Sequence, residues 1–258
     1  MSDYLMREGA PFDEETWAKI DETVVTEVRN TLVGRRFIGL VGPLGWGIEV
    51  APMSGFVEVD GGGVAAGTTE YLRLTQLEQE FLLRAKHLAI ADQTPFCMDL
   101  GAAALAAAKL AKAEDELVVG QLLREPKVTE ALGDWSAMGG PFKAVASGTA
   151  RLRKEGFDAP YAVVMSPGMY ARMASLMEHG RRELEMVERL AQAGVFQYPA
   201  MTDDQVLVVS ARPWNLDLVV GQDVVTAYVG NEGLDHRFRI FETLALRVKR
   251  PGAICVLK

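Results

Sequence analysis

Apolar residues recur at intervals of three and four from Trp17 through Ile20, Val24 and Val28 to Leu32, which places them on one face of a helix over residues 14–33. Its start is signalled three times. Asp13 can cap the first turn, Glu14 and Glu15 sit at the positive end of the helix dipole, and Phe12 and Trp17 can close a hydrophobic staple. Gly34 stands where a helix-terminating glycine belongs. A second helix is expected over 100–123, after a capping Asp99, and its first half is apolar on nearly all sides, which predicts burial by neighbours. A third opens at Ser166-Pro167, runs to Glu178, breaks at His179-Gly180 and resumes from Arg181 to Ala193.

Between these lie short apolar runs bounded by turn residues, read as strands over 35–41, Tyr161–Met165, Val206–Ser210, Leu216–Val220, 224–229, 244–248 and Ile254–Leu257. In the run ending at Val248, Arg247 and Lys249 are expected to face away from the apolar positions. Gly42-Pro43-Leu44-Gly45-Trp46-Gly47 forbids regular structure. Residues 50–77, folded back at Gly61-Gly62-Gly63, form a long two-stranded arm. Such a hairpin is marginal alone in water and must lie on something. Long helices mixed with antiparallel pairs give an α+β reading, with no internal repeat and no linker.

Composition adds exclusions. Of 258 residues 49% are apolar, which rules out disorder, and a chain of 28.1 kDa folded compactly would expose roughly 11,000 Å². The formal charge of −8 argues against a nucleic-acid partner, since a phosphate backbone calls for the opposite balance. Cys97 and Cys255 suit neither a disulfide framework nor a zinc site. The first ten residues carry no signal-peptide apolar core, and the longest apolar stretch, 101–108, falls far short of the about 20 residues a membrane span needs, so a cytoplasmic protein without a membrane partner is expected.

Chemistry-bearing motifs are scarce. His87, His179 and His236 have no ligand-spaced partners, so no metal is expected. The glycines at 61–63 and 67 miss the dinucleotide fingerprint, and neither Ser147-Gly148 nor Ser166-Pro167-Gly168 lies in a nucleophile elbow. No catalytic residue is assigned. Glu114-Asp115-Glu116 fans through about 200° of a helix and is expected to be a solvated or interface-facing rim.

The ordered segments resemble the encapsulins, shell proteins similar to the major capsid protein of tailed phages. The resemblance covers nearly the whole chain. It rests on Ala10-Pro11 with Trp17, Ile20 and Asp21; on Leu32-Val33-Gly34-Arg35-Arg36-Phe37; on Gly42-Pro43-Leu44-Gly45-Trp46; on Ala113-Glu114-Asp115-Glu116; on Pro160-Tyr161; and on Gly221-Gln222-Asp223, Glu242-Thr243, Pro251 and Ala253. It implies a capsid-like fold with a peripheral P-domain (1–49, 78–131 and 223–258), an extended E-loop (50–77) and an axial A-domain (132–222).

The same resemblance implies a self-assembling icosahedral compartment, of 60 subunits or alternatively 180, that encloses a cargo enzyme. Cargo in such shells is typically a ferritin-like iron oxidase or a dye-decolorising peroxidase, which implies iron storage or oxidative-stress defence. Glu178, His179, Gly180 and Arg181 would line the five-fold pore. Asp21, Val24, Val25, Val28 and Leu32 would receive the cargo's C-terminal targeting peptide. Phe56, Val57, Val59, Tyr71 and Leu72 of the E-loop would reach a neighbouring subunit. No cofactor is expected: some members stack flavin on a tryptophan after the E-loop, but Arg84-Ala85-Lys86-His87-Leu88 has none. The alternatives are a phage major capsid protein, which the charge of −8 disfavours, and an enzyme, for which nucleophile and metal motifs are lacking.

Overall fold

The computed structural model of the chain describes residues 4–124, 126 and 128–258. The first helix, α1 (Glu14–Thr31), starts as its sequence dictates: the Asp13 carboxylate accepts the Thr16 amide at 2.8 Å, and the Phe12 and Trp17 rings meet edge to face at 6.2 Å. It ends sooner than expected, and Gly34 is not its left-handed terminator. Gly34 opens a 3-10 turn (Gly34–Arg36) pressed against a second helix, where a Cβ would stand 2.9 Å from the Val118 side chain, so close approach is what requires glycine here. That turn replaces most of the strand expected over 35–41, leaving only β1 (Leu40–Val41).

The chain continues through β2 (Val50–Val59), β3 (Gly63–Arg73) and β4 (Thr75–Leu83) to α2 (Ala85–Gln93) and the long α3 (Gly101–Arg124). Then follow β5 (Val128–Glu130), α4 (Gly140–Lys154), β6 (Tyr161–Met165), α5 (Pro167–Ser175), the two-residue strands β7 (Met177–Glu178) and β8 (Arg181–Arg182), α6 (Glu183–Leu190) and β9 (Gly194–Gln197). The last strands are β10 (Val206–Ser210), β11 (Leu216–Val220), β12 (Val225–Glu232), β13 (Asp235–Val248) and β14 (Ile254–Leu257). The break expected in the third helix is therefore a small hairpin. His179 and Gly180 both take positive φ (50° and 75°), the two-residue turn that suits the twist of paired strands.

Two sheets organise the body. In the first, the early half of β13 lies between β12 and β4, and its later half pairs with β11, which carries β1 in parallel on its far edge. In the second, of order β5-β14-β10-β6-β9, β6, β10 and β14 are buried along their whole length, so they read as continuous apolar runs. The apolar face of α1 packs on Ala103, Ala106, Ala107 and Leu110 of α3 and on Phe81 and Phe238 of the first sheet. The later turns of α3, through Val118, Val119 and Leu122, enter the core of the second sheet. One helix thus joins both cores.

Strand 216–220 pairs with β13 in the first sheet, while 254–257 is an inner strand of the second. The chain passes between the sheets through one 3-10 turn, Pro251–Ala253. Against expectation, the first half of α3 is not covered on all sides: Leu105 is 68% exposed. Arg247 and Lys249 do not turn out to solvent but converge on the buried Asp217, at 2.7 and 2.6 Å.

Among the described residues, no helix is long and apolar enough to cross a membrane, and no group of three His, Cys, Asp or Glu is placed to hold a metal ion.

Candidate functional site

A groove of about 360 Å³ runs beside α1, with Val25, Val28, Arg29 and Leu32 on one wall and Leu40, Asp223 and Val224 on the other. It has an apolar floor and a charged rim that includes Arg35 and Arg36. Of the five residues expected to receive a peptide, Val25, Val28 and Leu32 line it. Val25 is half-buried; Val28 and Leu32 lie mostly in the core. The other two are elsewhere. Val24 is turned into the core at 1% exposure, and both oxygens of Asp21 are held by the Arg7 guanidinium at 2.7 and 2.8 Å. Arg7 also donates to the Thr226 carbonyl and stacks 4.4 Å above the Trp17 ring, so it ties the N-terminal segment to α1 and β12.

The arm is β2 paired antiparallel with β3, and its pairing ends at Val50 and Arg73; the chain beyond belongs to β4 and the first sheet. Phe56, Val57, Val59 and Tyr71 are exposed and Leu72 is half-buried. Its root is fastened to the body: Asp217 grips Arg247 through two hydrogen bonds, and Arg247 donates a third to the Pro52 carbonyl at 2.6 Å. The subunit exposes 13,870 Å², roughly 2,700 Å² more than a compact chain of this mass.

Glu178, His179, Gly180 and Arg181 form the exposed tip of the β7-β8 hairpin, with the His179 Nδ1 3.8 Å from a Glu178 oxygen. The tip presents both signs of charge on a two-residue turn.

The carboxylates at 114–116 depart most from expectation. Glu114 and Asp115 are buried, at 0% and 3% exposure, and only Glu116 meets water. The reason is the position of α3, which passes directly beneath the 3-10 turn at Gly34. Asp115 accepts the Val33 and Gly34 amides at 2.8–3.0 Å, and burial pushes its carboxyl up to about 6 in spite of those two donors. Glu114 faces Arg35, whose guanidinium also reaches Asp223 and Glu242, at 2.8, 2.7 and 2.5 Å respectively. Burial alone would lower the Arg35 pKa, but Glu114 and Glu242 more than offset that and hold it raised. Asp223, which burial alone would raise, is held below the usual carboxylate range by Arg35. Arg35 thus joins the turn after α1 to α3, to β13 and to the loop before β12, and it forms part of the rim of the groove.

The described geometry offers a shallow groove, a protruding arm, a charged hairpin tip and a buried ion cluster. The family model Linocin_M18, an encapsulating protein for peroxidase, matches residues 1–245. The type 1 encapsulin shell protein EncA of Myxococcus xanthus is 36% identical over 279 residues, covering 100% of this chain and 97% of the relative. A diheme-cytochrome-encapsulin shell fusion protein of Kuenenia stuttgartiensis is 30% identical, over 95% of this chain and 73% of that one. A ferritin-like-encapsulin shell fusion protein of Pyrococcus furiosus is 26% identical, over 76% and 56%. Among solved structures, a virus-like particle from Pyrococcus furiosus superposes with a TM-score of 0.83 at 23% identity, over 95% of this chain and 100% of that one. The capsid of Myoviridae phage XM1 does so with a TM-score of 0.60 at 15% identity, over 86% and 90%. The fold is that of capsid proteins.

The ion cluster makes a stability prediction. Replacing Arg35 by Met leaves Glu114 and Glu242 buried without a counter-charge, which costs about 3–5 kcal/mol, whereas Arg36→Met, at an exposed position, stays within about 0.5 kcal/mol of wild type. Urea unfolding followed by tryptophan fluorescence at one fixed protein concentration checks both values.

Proposed function

This chain belongs to the encapsulin shell-protein family, and from that premise we propose that it is a structural subunit, not an enzyme, whose copies close into an icosahedral compartment around a cargo enzyme. The observation that carries the reading is the full-length match to a type 1 encapsulin shell protein, 36% identical over 100% of this chain. The surplus surface supports it independently. An arm that has no core of its own is ordered only if another copy covers it. On this reading the arm is the E-loop, the second sheet with its helices is the A-domain, and the hairpin at Glu178–Arg181 borders a pore. The phage-capsid alternative shares the fold, but its representative here reaches only 15% identity.

For cargo, the groove beside Val25 supports docking of a targeting peptide: it is apolar at its floor, open to solvent, and separate from the arm. A peroxidase or a ferritin-like iron oxidase fits the names carried by the family and by the fusion relative, so oxidative-stress defence or iron storage in the cytoplasm follows.

Native mass spectrometry of the purified chain is expected to show closed particles, about 1.7 MDa if sixty 28.1 kDa copies assemble, and isolated monomers or dimers at micromolar concentration would overturn the shell reading. Val25→Asp is expected to leave particle size unchanged and to reduce cargo per shell at least about tenfold on co-expression, because it replaces an apolar contact of the groove with a hydrated carboxylate that docking would have to desolvate. Undiminished loading would remove the groove from the cargo site.

A further inference from the structure

Four segments that carry the sequence resemblance meet at Arg35: its own, the one containing Glu114, the one ending in Asp223, and Glu242-Thr243. The meeting point has one peculiarity. Glu114 and Glu242 are both fully buried, and each uses only one oxygen on Arg35. Glu114 Oε2 and Glu242 Oε1 have no hydrogen-bond partner among the described residues. A buried carboxylate oxygen without a donor is costly, and two of them at one site are not left so by chance.

The charges around the pair do not resolve this. From the turn after α1, Arg35 supplies one positive charge, which the pair shares with Asp223 at the rim. Arg29 of α1 lies toward Asp223, and Arg36 lies toward Asp115, the other buried acid of α3. Among the described residues, the ion pairs of the two glutamates are both with Arg35. Two carboxylates closed off from bulk solvent and held on the same guanidinium repel each other, which disfavours ionising both. One proton on Glu242 turns a carboxylate oxygen into a donor that Glu114 can accept from, which partners an orphaned oxygen on each side and removes one negative charge.

We propose that Glu242 carries a proton at neutral pH and donates it in a hydrogen bond to Glu114, and that this bond locks α3 to β13 beneath the groove. Burial first, and then the charge of Glu114, push the Glu242 carboxyl up to about 9 against the pull of Arg35. The sign of the pH dependence follows. The folded pair keeps a proton that the unfolded chain has released above the ordinary glutamate range, so the lock is fully present in mild acid. Its contribution declines as pH rises and is gone once pH passes about 9. The inference concerns the fold of the subunit and stands whether or not cargo binds.

The test uses the purified full-length protein in the assembly it adopts. Infrared spectra of the wild type are expected to show a protonated-carboxyl carbonyl absorption at pH 7.5 that fades reversibly above about pH 9 and is absent from Glu242→Gln. In parallel, the wild-type folding constant should fall by up to about tenfold per pH unit between about pH 5 and 9 from this group. Glu242→Gln, whose amide donates permanently, should flatten that slope; Glu114→Gln is the second variant should the first fail to fold. A wild-type spectrum without the absorption at pH 7.5, or an absorption and a slope untouched by either substitution, would overturn the proposal.

Discussion

The arrangement of the whole subunit depends on one buried guanidinium. Arg35 sits on a tight turn directly after α1 and is opposed by carboxylates from α3, from β13 and from the loop leading into β12. These elements come from four separate parts of the chain. Hydrophobic packing seats α1 on the alanine face of α3 and on Phe81 and Phe238. The ion cluster fixes the register, and Asp115 reinforces it by taking the backbone amides of Val33 and Gly34. A buried ion pair is a weak source of net stability, so its value here is in specifying position. The groove beside Val25 inherits its shape from that register, since Arg35 forms part of its rim.

What could be read from the residues, and what could not, divides along the range of the interactions involved. α1 was legible because its signals are local: a capping aspartate, a staple and five apolar residues on one face. The strands at Tyr161–Met165, Val206–Ser210, Leu216–Val220 and Ile254–Leu257 were legible to the residue because buried strands are unbroken apolar runs between turn formers. α4 went unread. Its first turn starts at Gly139, which has no side chain to cap with, and its amides at Gly139 and Phe142 are satisfied by Glu183, more than forty residues away. The strand assigned to 35–41 failed for a related reason, since Asp115 pulls the start of that apolar run into a 3-10 turn.

The candidate site shows the same division. Helical periodicity put Val28 and Leu32 on one face of α1 and the resemblance added Val25 as a peptide contact, but Leu40, Asp223 and Val224, which line the same groove, could be joined to them only through the tertiary fold. Glu114 and Asp115 were misplaced because consecutive carboxylates on a helix are ordinarily solvated, and nothing local announces that Arg35 will lie over them. Nothing local in the sequence joins Asp21 to Arg7, fourteen positions earlier, which holds both of its oxygens.

The central claim is that this subunit is structurally incomplete: its body has two well-formed cores, whereas its arm and the face around Leu105 expose apolar surface that only other copies can cover. Hydrogen–deuterium exchange compares these regions directly, in assembled particles and after dissociation. The account predicts that amides of Val50–Val59 and Gly63–Arg73 exchange slowly in the particle and fast in the dissociated subunit, while those of Val206–Ser210 stay protected in both. Arm amides that exchange equally fast in both states would contradict it.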